Sequence, residues 1–281
     1  MSVFFGVYLG SSSSCIAVCK DGKIEVVANA GGERVTPAVV GFYETEVVTG
    51  CAAKQGIIRH GPSTVQNILR VAGSTTEIEE SLVPAGLPCQ PIIEKGQVVY
   101  SVQRGDKTVT VTAEKALAYL FAQLKGIALT HTSETSLPVV LSLPSWSSEK
   151  TCVVARKAAE LAGFSVHKII SQPAASVMAY NLLDNNKETS YIVVLHGGGT
   201  TVTGSVLEVS GGLASLKETI TTSAVAGDSL TNLIVKHLAK EFYMKYKGDP
   251  LENKRSRRKL YNAAENCKHV LSTMATSQVR L

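Results

Sequence analysis

Residues 194–202 read VLHGGGTTV, an apolar run that enters three glycines and leaves through two threonines. Glycine lets the backbone turn sharply and approach a ligand, and consecutive amide N–H groups in such a turn form a cradle for anions. The stretch therefore predicts a turn that binds phosphate. It contains no acidic residue, although a magnesium ion on a phosphate is usually held by carboxylate oxygens.

A second unit of the same kind lies near the start of the chain. Residues 4–9 read FFGVYL, residues 10–14 read GSSSS and residues 15–19 read CIAVC. Apolar and β-branched runs bounded by glycine and serine are typical of strands, so this segment predicts two strands joined by a tight turn. The later unit repeats this order over residues 191–212. The recurrence predicts a duplicated architecture of two related lobes.

Helical patterns separate the two units. Apolar residues recur at helical spacing and predict helices at 112–128, 147–162, 173–183, 227–242 and 253–273. Pro173 suits the first turn of a helix, and Gly163 suits the position just after one. Strands mixed with helices indicate the α/β class.

A polar, turn-rich stretch at 184–190 reads DNNKETS and is typical of a linker. It predicts a boundary between a first lobe at residues 1–185 and a second lobe at residues 186–281. Residues 277–281 read SQVRL, the pattern of a strand that begins without a partner. We therefore expect the second lobe to be incomplete.

The composition argues against several classes of protein. The longest apolar runs are far shorter than the roughly 18 residues of a membrane span, and the first residues lack the features of a secretory signal. The six cysteines show no metal-binding spacing. These features predict a cytosolic protein with free thiols and without a membrane partner or a cysteine-bound metal.

The chain carries a net charge of +5, and its most basic run is KRSRRK at 254–259. Such a run either contacts a polyanion such as ribosomal RNA or forms the solvated face of a helix. Apolar residues continue after it at helical spacing, which favours the helix face. No aromatic residue interrupts the run to stack on bases, and specific DNA binding is not predicted.

Longer segments resemble the seventy-kilodalton heat-shock chaperone family, whose ATPase domain belongs to the actin and hexokinase superfamily. The matching segments lie at 26–40, 50–55, 158–175, 197–200, 252–260 and 265–268. The resemblance runs in one register through nearly the entire chain. It implies a duplicated, two-lobed α/β nucleotide-binding domain of the actin-like fold, present here as a fragment without the family's last ATPase segment or its peptide-binding domain.

The resemblance also implies a site for ATP between the lobes. In the family two glycine turns hold the phosphates, carboxylates position magnesium and water, and a lysine stabilises the transferring phosphoryl group. All five of these charged positions are replaced in this chain, by Tyr8, Leu69, Gln172, Leu195 and Val202. Loss of one electrostatic group costs about 100- to 1000-fold in rate. We therefore expect a pseudo-ATPase with no catalytic residues and no metal site.

Loss of hydrolysis does not imply loss of nucleotide binding, because backbone amide and hydroxyl donors can hold phosphates without a metal. The positions that match the family's phosphate contacts are Gly10, Ser11, Ser12, Gly197, Gly198, Gly199 and Thr200. Those that match its adenosine contacts are Gly227, Asp228, Glu265, Lys268 and Ser272. We expect ATP or ADP to bind weakly or without magnesium; alternatively, the glycines only turn the chain. His196 immediately precedes the second turn and is placed to reach a phosphate.

The pattern of lost charges is similar to the family's ribosome-associated-complex branch, which pairs with a J-domain protein of the zuotin type. This implies a J-domain co-chaperone, indirect contact with the ribosome or nascent chain, and assistance to a second, active chaperone during co-translational folding. Two other readings are an active ATPase chaperone that uses Asp21, Glu25 or Asp228, and a small-molecule kinase, which needs a base and a metal carboxylate. A further alternative is a scaffold that binds no nucleotide.

Overall fold

The computed structural model describes residues 3–83, 87–130, 132, 137–183 and 188–279. In chain order the strands are β1 Phe4–Leu9, β2 Ser13–Lys20, β3 Lys23–Val26, β4 Thr36–Pro37, β5 Val39–Phe42, β6 Val47–Thr49, β7 Thr64–Gln66, β8 Pro91–Glu94, β9 Gln97–Arg104, β10 Lys107–Thr112, β11 Pro138–Leu143, β12 Ser165–Ser171, β13 Ser190–Gly197, β14 Val202–Ser210 and β15 Leu213–Thr222. The helices are α1 Cys51–His60, α2 Ile68–Val71, α3 Ala113–Leu129, α4 Glu149–Leu161, α5 Gln172–Ala179, α6 Gly227–Tyr246 and α7 Lys254–Leu271. The mixture confirms the predicted α/β class.

The first glycine turn lies at the end of β1, in the middle of the largest sheet. The strand order of this sheet is β12-β11-β1-β2-β3, with β4 paired to β2. β1 runs parallel to β11 and antiparallel to β2. Alternate residues of β1 (Phe5, Val7 and Leu9) are buried, as expected for a strand with one face on the core. This packing fixes where the turn after Leu9 emerges.

One apolar core supports that sheet. Its buried members all come from residues 3–164, and the long helix α3 contributes a full stripe to it. The helix begins at Thr112, whose side chain accepts a hydrogen bond from the Lys115 amide, and this cap satisfies one of the free amides of the first turn. Two three-stranded antiparallel sheets, β6-β5-β7 and β10-β9-β8, surround the core.

The second glycine turn joins β13 to β14 in a separate antiparallel sheet, ordered β13-β14-β15. Val177 of α5 packs against Leu207 and Val209 of this sheet, so α5 links it to the rest of the molecule. The other face leaves Tyr191, Val193 and Leu195 exposed. Helices α6 and α7 pack together through a small cluster of their own, formed by Val235, Ala239, Leu260 and Ala264.

The predicted helices are confirmed, including the glycine expected just after α4. Ser148 caps its start, and Gly163 follows its end with a positive φ of 90°. The helix predicted to reach residue 183 ends at Ala179 instead, because the chain turns at Asn181, whose φ is 52°. The predicted lobe boundary at 185/186 lies outside the described residues. Among those described, no helix combines the length and apolar character that a membrane crossing needs.

A pair of leucine substitutions tests which face of the helices supports the core. Leu117 is buried on α3, whereas Leu161 at the end of α4 is exposed. Leu117→Ala removes core contacts and leaves a cavity, so we expect it to lower the free energy of unfolding by about 2–5 kcal/mol. Leu161→Ala makes the same chemical change on the surface and is expected to change it by about 0.5 kcal/mol or less. Urea unfolding measures both, and equal losses would contradict this assignment of the core.

Candidate nucleotide site

The two glycine turns have the same local geometry. In the first, the Gly10 amide donates to the Ser13 carbonyl at 2.9 Å, and in the second the Gly198 amide donates to the Thr201 carbonyl at 2.8 Å. The turns also touch each other. A Cβ atom built on Gly199 would lie 2.9 Å from Ser12 Cβ and would collide with the Ser12 hydroxyl, so position 199 requires glycine where the turns meet.

A cavity of about 200 Å³ lies beside the meeting point of the turns. Most of the residues that line it are serine, threonine or glycine. Its walls are formed by Tyr8, Gly10, Ser11, Ser12, Ser13, Pro144, Ser145, Trp146, Gln172, Pro173, Val194, His196, Gly197, Gly198, Gly199, Thr200, Thr201, Thr203 and Ser205. Among the described residues, no Asp or Glu lines this cavity. All seven residues predicted to contact phosphate do line it.

Tyr8 occupies the space directly over the first turn. A Cβ atom on Gly10 would lie 2.9 Å from the Tyr8 hydroxyl. Burial raises the pKa of Tyr8, and a hydrogen bond with Ser13 only partly offsets this, so the phenol is neutral at physiological pH. Its ring lies nearly parallel to that of His196, with a centroid distance of 6.3 Å and an angle of 25°. An uncharged pair thus flanks the cavity.

Gln172 has a structural contact in addition to its place in the cavity wall. Its side-chain amide donates to the Leu9 carbonyl at 3.2 Å, and the side chain is buried. This bond ties the start of α5 to the end of β1, immediately before the first turn. A carboxylate could not make it, because an ionised carboxyl group only accepts hydrogen bonds.

Three of the five replaced positions do not line the cavity. Leu69 is 1% exposed and belongs to the main core, whereas Leu195 is 76% exposed on the outer face of β13. Val202 pairs with Gly197 and Thr222 in the sheet. Strand alternation turns Leu195 away from the cavity and its neighbour His196 toward it. The loss of catalytic charge at the five positions stays a prediction.

His196 is therefore the site residue that the family resemblance did not assign. In their hairpins, His196 pairs with Thr203 and Tyr8 pairs with Cys15. Tyr8 lies two residues before Gly10 and His196 lies two residues before Gly198, the glycines whose amides close the two turns. From the sequence alone, His196 is marked only by its place beside the three glycines.

The second turn is held from behind by the start of α6. The Gly227 amide donates to the Gly198 carbonyl at 3.1 Å, and the Asp228 amide donates to the Gly199 carbonyl at 2.7 Å. The C=O and N–H of one trans peptide point in opposite directions. The amides of Gly199 and Thr200 therefore point away from α6, and within the described chain neither makes a backbone hydrogen bond.

Two hydroxyl groups of the cavity fit a phosphate. Within the described part of the chain, Thr200 Oγ1 and Ser145 Oγ are buried and have no hydrogen-bond partner. Thr200 is only 6% exposed. A buried hydroxyl without a partner costs free energy. Phosphate oxygens could accept hydrogen bonds from the Thr200 hydroxyl and from the free amides of the second turn.

The residues present do not fit a magnesium ion. Asp228 lies in the first turn of α6, which contacts the second glycine turn. Its carboxylate accepts a hydrogen bond from the Tyr261 hydroxyl at 3.1 Å, and burial raises its pKa, so it is poorly suited to bind a metal ion. Asp21 and Glu25, the other acids proposed to substitute, are exposed on the β2–β3 hairpin. In the described ranges no three His, Cys, Asp or Glu side chains are grouped to hold a metal ion.

The predicted adenosine contacts form a second cluster, behind the second turn rather than in the cavity. Lys268 Nζ donates to the Gly227 carbonyl at 3.1 Å, to Thr231 at 3.0 Å and to Glu265 at 2.8 Å. The Thr231 hydroxyl lies 2.6 Å from Glu265 Oε2, and the Ser272 hydroxyl donates to the Lys268 carbonyl. Gly227, Glu265, Lys268 and Ser272 are thus linked by hydrogen bonds, and their contact with adenosine stays a prediction.

Electrostatics within this cluster are strong. Burial alone would raise the pKa of Glu265, but hydrogen bonds from Lys268 and Thr231, together with the Lys268 charge, outweigh it and lower the pKa to about 2.

Arg70 lies at the cavity wall, with its guanidinium 5.8 Å from the centre of the Trp146 ring. Burial lowers the pKa of Arg70, and the charge of Asp228 opposes this.

The basic run at the start of α7 is partly used inside the molecule. The Arg257 guanidinium donates to the Leu251 carbonyl. Arg258 packs against Gly61 at the end of α1, where a Cβ atom would collide with its guanidinium. Lys254, Arg255 and Lys259 are exposed.

A family model described as "Hsp70 protein" matches residues 4–281. Among curated relatives, "Heat shock 70 kDa protein 14" from Mus musculus and from Homo sapiens are each 36% identical over 274 residues, which is 97% of this chain and 54% of each relative. "Heat shock 70 kDa protein 14-B" from Xenopus laevis is 33% identical over 275 residues, again 97% of this chain and 54% of the relative. The chain spans about half the length of these relatives.

The Glu265 cluster predicts a pH-dependent stability. Because the folded pKa of Glu265 is below its ordinary 4.5, its stabilisation is complete above pH 4.5 and is lost as the pH falls toward 2; the contribution is on the order of 3 kcal/mol. We expect Glu265→Gln to be less stable than the parent chain at pH 7, and the gap to shrink between pH 5 and pH 3. Urea unfolding at these pH values measures the gap.

Glu241→Gln, the same change on an exposed position of α6, is the matched control and should show no such gap. A gap between Glu265→Gln and the parent chain that stays constant from pH 5 to pH 3 would contradict the assigned role.

Proposed function

Because the chain belongs to the Hsp70 protein family, we propose that it binds an adenine nucleotide beside its two glycine turns and does not hydrolyse it. The family is an ATPase family that binds ATP or ADP. Our proposal is that this chain retains the binding and has lost the reaction, so that it acts as a pseudo-ATPase.

One observation carries the proposal: the cavity between the turns offers hydroxyl and amide donors but, among its described lining residues, no carboxylate. The bound nucleotide would supply phosphate oxygens. Thr200 and Ser12 would hold them through their hydroxyls, and Gly199 through its amide, because these groups line the cavity. Such donors act on an anion directly and require no metal.

Hydrolysis needs more than these donors. Phosphoryl transfer depends on positioned cations that balance charge on the phosphate oxygens, and on a group that orients the attacking water. Leu69 is buried in the core, and the Gln172 amide is bonded to Leu9. Neither can take these roles, and we propose that phosphate release is negligible.

Thr200→Val tests the binding site directly. It removes the unpartnered hydroxyl while keeping the shape, so we expect no loss of folding stability. We expect affinity for ATP to fall about tenfold, as for loss of a hydrogen bond to a charged group. Thermal-shift titration with ATP measures this, because a ligand that binds only the folded state raises its stability by RT ln(1 + [L]/Kd). The parent chain should respond equally with magnesium and with a chelator.

Thr110→Val, at an exposed position of strand β10, is the matched control and should bind as the parent chain does. Magnesium-stimulated phosphate release by the parent chain would refute the pseudo-ATPase and favour an active chaperone.

A second candidate is a scaffold that binds no nucleotide. Two observations favour it: Tyr8 covers the first turn, and the polar atoms of the Glu265 cluster already bond to one another. The same titration decides between the two functions. A parent chain that shows no response to ATP or ADP would reject nucleotide binding and favour the scaffold.

We further propose that the protein acts in the cytosol with a J-domain co-chaperone, in a ribosome-associated complex that assists folding of nascent chains. The Hsp70 family typically works with J-domain co-chaperones. Support for the specific branch comes from the replaced positions Tyr8, Leu69 and Gln172, because this pattern of lost charges is similar to that branch. A chain that does not hydrolyse ATP would act on its partners through its surface. Contact with the ribosome is proposed to be indirect, through the J-domain protein.

A pull-down from cytosol, with and without ribonuclease, tests this complex. We expect a J-domain protein to be recovered in both samples, because its contact is with protein. We expect ribosomal proteins to be recovered only without ribonuclease, because they are reached through the ribosome. Recovery without any J-domain protein in either sample would reject the proposed complex, whatever the outcome of the nucleotide titration.

A further inference from the structure

We propose that a phosphate group bound in the cavity receives its compensating positive charge from His196, so that binding is coupled to uptake of a proton by the imidazole. The inference rests on the proposed nucleotide binding and names the residue that takes the place of a metal ion. The ligand class is a phosphate ester or anhydride without a bound divalent cation.

The geometry places the imidazole at the second turn. His196 lines the same cavity as Ser12 and Thr200. A Cβ atom on Gly198 would lie 3.8 Å from both Cδ2 and Nε2 of the ring, so the imidazole lies beside the turn that carries the unpartnered Thr200 hydroxyl. A phosphate between the imidazole and the turn would contact the Thr200 hydroxyl, the turn amides and the His196 ring.

The other groups around His196 do not supply this charge. On the β1 side the ring faces Tyr8, which is neutral, with Cys15 behind it on β2. From α5 the cavity receives the uncharged Gln172, and from β14 the hydroxyls of Thr203 and Ser205.

Permanent cations lie nearby, but among the described residues none of them lines the cavity. Arg70 lies over the ring of Trp146, and Lys268 lies behind the second turn, where it is paired with Glu265. Among the described lining residues, His196 is the only side chain that can become positive near neutral pH.

The direction of the pH effect follows from linkage. Burial lowers the pKa of His196, so in the ligand-free protein the ring is neutral at pH 7. A phosphate anion in the cavity would raise that pKa, because an opposite charge nearby favours the protonated form. Binding is then tightest below the ligand-free pKa and weakens as the pH rises through the ligand-bound pKa.

The experiment is calorimetric titration of the full chain with ATP in the presence of a chelator, at pH 6 and pH 8. His196→Gln keeps a polar side chain but cannot become charged. We expect the parent chain to bind ATP about tenfold more tightly than His196→Gln at pH 6, as for one charge-assisted hydrogen bond, and nearly equally at pH 8. The terminal phosphate of ATP also titrates, with a pKa of about 6, but this affects the parent chain and the variant alike and cancels in the comparison.

Proton uptake gives a second measurement that does not depend on the variant's stability. Titrations at pH 7 in two buffers of different ionisation enthalpy report the protons taken up per ATP bound. The parent chain should take up more protons than His196→Gln. His237→Gln, the same change on an exposed position of α6, should behave as the parent chain. Inorganic phosphate should show the same difference between variants, and adenosine, which has no phosphate, should show none.

The outcomes separate this inference from the function on which it rests. ATP binding with the same pH dependence and proton uptake in the parent chain and in His196→Gln would overturn the role of His196 and leave nucleotide binding intact. An equal loss in His237→Gln would also overturn it. No ATP binding by the parent chain at either pH would overturn both.

Discussion

The contact between the two glycine turns constrains everything built around the site. Ser12 and Gly199 approach so closely that no side chain fits at position 199. The contact in turn relies on supports behind each turn, namely the Gln172 bond to Leu9 and the two α6 amides bonded to the second turn. Because the C=O groups are held by α6, the opposite N–H groups are left for a ligand. The geometry of the site is therefore set mainly by the backbone, with glycine required at position 199.

Neutral side chains suit this arrangement better than ionised ones would. Carboxylates gathered at one site repel each other and lose hydration when buried, unless a cation balances them. Tyr8, His196 and Gln172 instead fill the cavity walls with groups that hydrogen-bond without carrying charge at pH 7. Lys268 and Glu265 form an ion pair behind the second turn.

Sequence patterns predict five of the seven described α-helices and both turns, because caps and glycines act locally, whereas α1 and the short α2 are not predicted. Gly163 and Asn253 mark helix ends that the structure confirms. The short strands between residues 36 and 112 are not evident, since runs of two to eight residues carry too little periodicity. At the site, the positions that match the family's phosphate contacts all line the cavity, whereas the sequence does not show that Leu195 faces solvent. That position depends on which face of β13 meets the cavity, and only the three-dimensional register decides it.

The packing of Arg258 on Gly61 has a bearing on how the protein would meet nucleic acid. Of the five basic side chains in the run at 254–259, Arg257 and Arg258 are held by internal contacts, which leaves Lys254, Arg255 and Lys259 directed to solvent. Three phosphate contacts on single-stranded RNA would release few counterions, and the logarithm of affinity would fall with that of ionic strength with a slope of only about −2. With so shallow a salt dependence, these three side chains would add affinity to a contact made by another part of the protein, and would not bind nucleic acid tightly by themselves.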